Sequence, residues 1–297
     1  IVVDNASSDD TVTIIEKKYP NAILIKNDIN AGFGVANNIG VAHAHGELIF
    51  FLNVDVKLPP NLLRNLVDFK KTSGANIVSP QTIDSSGVSH YNGEYLCIDL
   101  LGYPGMSKKL FYIEGCCLMI SRKDFETLGK FDEAYFMYAE DIDLCWRAHL
   151  LGMSLAVANN ISMFHFGGGS GQSNTSTHSS EGLEHKVPLF RRYEVEKNTL
   201  RNLLKLYSWN NLIWAVPLYL VLIGAEITLY LILFKYAAGK KLAESILWNI
   251  RNISATLDER SQVQKKRKVL DTHIFRLMEF RLFKLDAFKK VGVPKYI

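Results

Sequence analysis

The chain opens on an apolar run, Ile1-Val2-Val3, that closes on Asp4. A short apolar run bounded by polar residues predicts a buried strand. Ser7-Ser8-Asp9-Asp10 then supplies cap residues and first-turn acids, which predicts a helix to about Tyr19, stopped by Pro20. The alternation repeats. Ala22 to Ile25 predicts a strand, Asn30-Ala31-Gly32-Phe33-Gly34 a loop, and the stretch on to about Ala44 a second helix. Leu48 to Leu52 is a continuous apolar run and predicts a buried strand. Pro59-Pro60 opens a helix reaching about Lys71, and Ala75 to Val78 is the next strand. This rhythm predicts an α/β fold with a mostly parallel sheet and helices on both faces.

Beyond Ser79 the pattern weakens, with turns at Ser85-Ser86-Gly87 and Pro104-Gly105. Phe111 to Ser121 reads as a strand and Arg122 to Leu128 as a helix closed by Gly129. A helix follows from Asp141 to Leu151, then short strands at Leu155 to Ala158 and Ile161 to Phe164. Residues 167–180 are rich in Gly, Ser and Thr and read as a loop.

The last third changes character. Leu212 to Phe234 is a run of 23 residues with one charge, Glu226, and one proline, Pro217. That length is enough to cross a bilayer. Basic residues flank it on both sides: Arg191, Arg192, Arg201 and Lys205 before it, Lys235, Lys240 and Lys241 after it. A single span would export one basic flank, against the positive-inside tendency. A helical hairpin bent at Gly224-Ala225-Glu226, or helices lying in the interface, keeps both flanks on one side. Membrane association is therefore expected in preference to a buried soluble helix.

Charge sharpens the division. The chain of 297 residues has a net charge of +4, but residues 1–180 carry 13 basic and 19 acidic side chains, and residues 181–297 carry 21 and 11. Two regions are expected: an α/β domain over 1–180 and a helical, basic, membrane-associated region over 181–297. A 48% hydrophobic composition excludes intrinsic disorder. Four cysteines with no CxxC pair argue against a disulfide scaffold or a zinc ribbon, so reduced buried thiols are expected. The first strand has no turn before it and no signal peptide is visible, which suggests a fragment entering on an internal strand.

Five groups of residues carry candidate chemistry. Asp4-Asn5-Ala6-Ser7 stands at a strand's carboxyl end, where open α/β sheets bind ligands. Asn30 to Gly34, with Asn37 and Asn38, is a glycine loop opening a helix and suits phosphate. It lacks the spacing of a dinucleotide fold or a P-loop. Asn53-Val54-Asp55 directly follows a buried strand and suits a divalent cation. Glu140, Asp141 and Asp143 cluster at a helix start, where neighbouring carboxylates raise one another's pKa and suit general-base work. His165 precedes a run of glycines and would complete a metal site with Asp55. Singly, each reads equally well as a cap or a turn.

In this order, the groups resemble family 2 glycosyltransferases, inverting enzymes of the GT-A fold, over Ile1 to Gly171. Glu114-Gly115 and Glu140-Asp141-Ile142-Asp143-Leu144-Cys145-Trp146-Arg147 add to the likeness. Within the family the chain is most similar to the rhamnosyltransferase-like branch. Asn198-Thr199-Leu200-Arg201-Asn202 through Trp248-Asn249-Ile250-Arg251-Asn252 looks like that branch's membrane-associated helices.

The resemblance implies roles. Asp4 would contact the nucleotide base, with Asn5 and Ser7 beside it. Asn30, Gly32, Gly34 and Asn37 would line the nucleotide and diphosphate. Asn53 and Asp55 match the family's DxD position, Asp55 binding Mg²⁺ or Mn²⁺ with His165. Asp141, with Glu140, would be the catalytic base. Glu114, Gly115 and Arg147 would meet the acceptor. The implied activity moves a sugar from dTDP-rhamnose or a UDP-hexose to a glycan or lipid-linked hydroxyl, at the cytoplasmic face of the membrane. Two departures stand out: the first DxD acid is Asn53, and the family's first strand and helix would precede Ile1. A sugar nucleotidyltransferase and a non-catalytic membrane-bound nucleotide-sugar binder remain alternatives. A nucleic-acid partner is disfavoured, because the basic tail contains a long apolar run.

Overall fold

The computed structural model describes residues 1–84, 93–166, 186–293 and 295–296. β1 (Val2–Asp4) leads to α1 (Thr11–Lys18), β2 (Leu24–Lys26) and α2 (Phe33–His43). β3 (Leu48–Leu52) and the short β4 (Val56–Lys57) precede α3 (Leu62–Ser73) and β5 (Ile77–Ile83). β6 (Tyr95–Ile98) and β7 (Pro104–Ser107) form an antiparallel pair. β8 (Cys117–Ser121), α4 (Arg122–Leu128), α5 (Glu140–Leu150) and β9 (Leu155–His165) follow.

The main sheet has the order β3-β8-β5-β9-β4. β5 and β9 run parallel, as do β1 and β2, which form a separate two-stranded sheet. β8 runs antiparallel to both β3 and β5, so the sheet is mixed. The reversal of β8 has a consequence for chemistry. Cys117 pairs with Leu52, so the residues just before β8 lie beside the carboxyl end of β3. The Asn53 backbone N–H donates to the Cys116 carbonyl at 2.9 Å, extending that alignment one residue further.

Several expected boundaries shift for local reasons. Thr11 N–H donates to Asp9 Oδ1, and the first helix begins there rather than at Ser7. The expected strand over Phe111 to Ser121 is regular only in β8; the Phe111 N–H bonds to the Leu96 carbonyl and the segment sinks into the core. The two short strands around 155–164 merge into β9, with a register shift opposite Pro80 and Gln81. The turn at 85–87 and the loop at 167–180 lie outside the described residues.

The remaining chain is mainly helical. β10 (Lys186–Val187) and β11 (Lys295–Tyr296) pair with one another. Between them come α6 (Leu189–Leu206), α7 (Trp209–Ile232), α8 (Tyr236–Arg251), α9 (Ile253–Lys266), α10 (Asp271–Leu277) and α11 (Phe283–Val291). The bend expected at Gly224-Ala225-Glu226 is absent. α7 runs unbroken through Pro217 and these residues, and the turn comes at Leu233–Lys235, where Phe234 has φ 55°. The helix tolerates Glu226 because that carboxylate faces inward, bonded to Arg192 on α6 and Lys284 on α11.

A single hydrophobic cluster joins both parts of the chain. It includes Phe51, Phe125 and Phe131 below the sheet, Trp146 on α5, and Leu203, Tyr207, Leu242 and Met278 from the later helices. Trp146 stacks edge-on with both Phe111 and Tyr207. A second, smaller cluster under α3 contains Leu66, Val78, Met119 and both Cys116 and Cys117. All four cysteines are free and buried, as expected from their spacing.

Candidate active site

β1, β3, β9 and the segment before β8 deliver their ends to one region. β1 ends on Asp4, which is 6% exposed. One of its carboxylate oxygens accepts the Ser7 backbone N–H at 3.2 Å. The other, Oδ1, is buried with no hydrogen-bond partner among the described residues. Such an orphan acceptor is uncommon in a folded chain and marks a place where an external N–H would fit.

Asn5 ties this strand end to the glycine loop. Its amide donates to Asn30 Oδ1 at 2.8 Å and to the Gly32 carbonyl, and its oxygen accepts the Asn27 amide and the Ala31 backbone N–H. Asn5 and Asn30 therefore shape the loop. Asn37 bonds back to the Phe33 carbonyl of its own helix. Gly32 has φ 87°, and a Cβ there would stand 2.4 Å from the Phe136 carbonyl oxygen, so only glycine fits. Gly34 packs on the Phe131 side chain. The backbone N–H of Phe33 donates to that same Phe136 carbonyl at 2.8 Å. The glycine loop thus rests on the segment leading into α5.

Asp55 and His165 meet across β4 and β9. The antiparallel register sets His165 opposite Val56, and His165 Nε2 lies 3.3 Å from Asp55 Oδ2. Asn53 is half-buried beside them at the end of β3. Glu114 is close enough to feel both His165 and Asp141. Burial, reinforced by the Asp141 charge and opposed by His165, raises its pKa to about 7.

α5 begins at Glu140. Ala139, its cap residue, and Tyr138 both adopt left-handed backbone, at φ 63° and 69°. Two consecutive non-glycine residues there cost about 1–3 kcal/mol each. Asp141 Oδ2 accepts the Gly115 backbone N–H at 3.3 Å, and Oδ1 accepts the Ile142 N–H at 2.8 Å. Burial raises the pKa of Asp141 to about 6, against the lowering effect of these two donors. Glu140 is pushed higher, to about 8, by burial and by the neighbouring Asp141 charge. Gly115 lies between Asp141 and Phe33; a Cβ there would stand 3.0 Å from the Phe33 ring.

Two expectations change. Asp143 does not join the acidic cluster at the mouth: it is fully buried, bonded to Arg147 and to Lys205 on α6. Arg147 is likewise withdrawn from any acceptor. Its guanidinium is held by Asp143 at 2.6 Å and by the Leu128 carbonyl, inside the fold. The sequence pattern also missed Asp132, which binds both Arg201 and Lys205 and has its pKa driven far down by them despite its burial. It missed Asn198 and Asn202 as well, which reach from α6 to the turn before α5. Their spacing of four on one helix was the available signal.

A mixed α/β sheet whose strand ends gather a carboxylate pair, an Asp–His pair and a glycine loop is a GT-A glycosyltransferase fold. The crystal structure of GalNAc-T7 with UDP, GalNAc and Mn²⁺ has this fold and is similar at a TM-score of 0.51 and 15% identity, covering 70% of this chain and 41% of that one. Residues 1–129 match the family described as "Glycosyl transferase family 2", and this part of the chain is a domain of that family. The low-salt glycan biosynthesis hexosyltransferase of Haloferax volcanii is 26% identical over 179 residues, covering 56% of this chain and 58% of that protein. The N-acetylglucosaminyl-diphospho-decaprenol L-rhamnosyltransferase of Mycobacterium tuberculosis is 26% identical over 182 residues, covering 48% and 58%. The match thus spans little more than half the length of these relatives.

Proposed function

We propose that the chain is an inverting glycosyltransferase that moves a sugar from a nucleoside-diphosphate donor to a hydroxyl of a glycan or lipid-linked acceptor in cell-surface polysaccharide synthesis. The observation that carries this reading is the meeting of Asp141, Gly115 and Glu114 with the Asp55–His165 pair. Asp141 has a pKa raised to about 6, which keeps it ionised at neutral pH yet more basic than an ordinary carboxylate. In this reading Asp141 accepts the acceptor's hydroxyl proton as that oxygen attacks the anomeric carbon from the face opposite the leaving diphosphate. The Gly115 N–H holds the carboxylate's orientation throughout.

The buried Asp4 Oδ1 would take an N–H of the nucleotide base. The glycine loop would lie along the diphosphate, with the first N–H groups of α2 directed at it. Asn53 would line the same donor.

Among the described residues no group of three or more His, Cys, Asp or Glu side chains gathers to hold an ion. The carboxylate and imidazole of Asp55 and His165 nevertheless fit Mg²⁺ or Mn²⁺ as two ligands, with diphosphate oxygens and water completing the shell. A divalent cation bound there would neutralise charge on the departing diphosphate.

The reading includes a membrane. α7 packs inward through Leu212, Ala215, Tyr219, Ile223 and Tyr230. Ile213, Val221 and Ile232 face out, at 76%, 66% and 65% exposure. An apolar stripe along one side of a helix, with ion-paired residues on the other, suits a helix lying in the plane of a bilayer surface. The basic balance of 181–297 favours an anionic, cytoplasmic face.

The test is release of nucleoside diphosphate from a panel of dTDP-, UDP- and GDP-sugars, with and without Mn²⁺. Release from one donor, stimulated by an acceptor, supports the transferase. Donor binding with no release under any condition replaces it with a non-catalytic nucleotide-sugar binder.

A further inference from the structure

Asp141 and Glu140 follow directly on the turn Tyr135–Ala139, whose last two residues hold left-handed backbone. Something must secure that turn, because each such residue would relax toward ordinary backbone if released. The securing contacts come from α6, in the part of the chain beyond the matched family domain. Asn198 is fully buried, and its amide nitrogen donates to the Met137 carbonyl at 2.9 Å and the Tyr138 carbonyl at 2.7 Å. Its amide oxygen has no partner among the described residues, so the hydrogen bonding of this side chain is directed at the turn. One helical turn later, Asn202 reaches the Ala139 carbonyl and accepts the Tyr135 hydroxyl at 2.8 Å. Lys205, a further residue on the same face, anchors α6 to Asp132 and Asp143 on either side of the turn.

The opposite side of the turn meets the glycine loop. The Phe136 carbonyl accepts the Phe33 N–H and lies where a side chain on Gly32 would sit. Residues 135–139 are therefore gripped between the loop read as donor-binding and the α6 helix.

We infer that Asn198 is a positioning residue: by tying the Met137 and Tyr138 carbonyls to α6, it fixes the direction in which Asp141 meets the acceptor. This rests on the transferase reading above. It gives the later helices a part in turnover besides any membrane contact, since α6 also packs against α7 and α8. Substrates are not touched by Asn198. Its removal should lower kcat while leaving donor affinity alone, because Asp4, Asp55 and the glycine loop keep their own supports.

The experiment compares Asn198→Ala and the milder Tyr135→Phe with Asn249→Ala. Asn249 is a buried control: it donates to the Lys197 and Ser245 carbonyls, away from the turn. Each variant is measured for thermal midpoint, donor Kd, kcat, and hydrogen exchange of the amides over 136–141. Asn198→Ala is expected to lose about 10- to 100-fold in kcat, as small misplacements of reacting groups do. Its donor Kd should stay within about two-fold, since the donor contacts are untouched. Exchange over 136–141 should quicken. Tyr135→Phe should move kcat and exchange the same way, by less, and Asn249→Ala should move the midpoint but neither of them. Unchanged exchange over 136–141 in Asn198→Ala overturns the inference, as does an equal fall of kcat in Asn249→Ala. If the unaltered chain turns over no donor, the transferase reading fails, and exchange alone still decides whether Asn198 holds the turn.

Discussion

His165 Nε2 stands 3.3 Å from Asp55 Oδ2, a contact made by the antiparallel pairing of β4 with the end of β9. Neither residue is near the other in sequence, and their strands converge at the carboxyl end of β3. An oxygen and a nitrogen ligand at this distance make a metal-binding pair, so removal of either should weaken metal-dependent donor binding. Asp55→Ala and His165→Ala are each expected to raise the Mn²⁺ concentration for half-maximal donor binding at least about 10-fold. A Mn²⁺ titration followed by calorimetry checks this, and an unaltered midpoint in both variants removes the pair from the metal site.

Asp141 gives a prediction about stability as well as rate. Its pKa in the folded chain is raised from 3.8 to about 6, so the native state holds that proton more tightly than the unfolded one. Its contribution is fully favourable below about pH 4 and is lost as pH rises through about 6. At pH 7.5 the carboxylate is charged and its burial costs stability. Asp141→Asn should therefore be more stable than the parent at pH 7.5, by on the order of 1–3 kcal/mol. The difference should vanish near pH 4. Urea unfolding at both pH values measures it.

The Lys205 ammonium lies 2.5 Å from both Asp132 and Asp143. Lys205→Met leaves two buried carboxylates short of a counter-charge, with Arg201 and Arg147 as their remaining partners. Breaking a buried ion pair from one side costs about 3–5 kcal/mol. Chemical denaturation is expected to report a loss of that size. Because Asp132 has a depressed pKa in the folded chain, its stabilisation is present above its unfolded value and fades as pH falls below about 4.

Vesicle binding checks the outward stripe of α7. Ile213→Asp and Val221→Asp alter side chains that touch solvent and should leave the fold and thermal midpoint intact. Co-sedimentation with phosphatidylglycerol vesicles should fall several-fold in each, since a charge replaces buried apolar area. Equal binding by the parent and both variants would detach α7 from the membrane.

The order of elements was legible wherever a buried apolar run met a clear stop. Leu48–Leu52 and Arg122–Leu128 were read to the residue, the one bounded by polar turns, the other by Ser121 at its start and Gly129 at its end. The β6–β7 pair was not legible: Tyr95–Ile98 and Pro104–Ser107 are short, and the proline and glycine of β7 read as a turn. Of the site, the strand-end residues Asp4, Asp55 and His165 were visible from their positions after apolar runs. Arg147 misled, because its place beside an acidic helix start says nothing about direction. Seven residues beyond Glu140 it points to Asp143 and Leu128, away from the mouth. Asn198 was quoted as part of a motif with no assigned task, since its partners are backbone carbonyls, which carry no sequence signature.

The most direct test of the account is Asp141→Asn assayed with whichever nucleotide-sugar the parent turns over. The variant keeps the shape of the side chain and removes its ability to take a proton. The account predicts donor binding within about two-fold of the parent and transfer reduced at least about 1,000-fold. Transfer at a rate near that of the parent would contradict it.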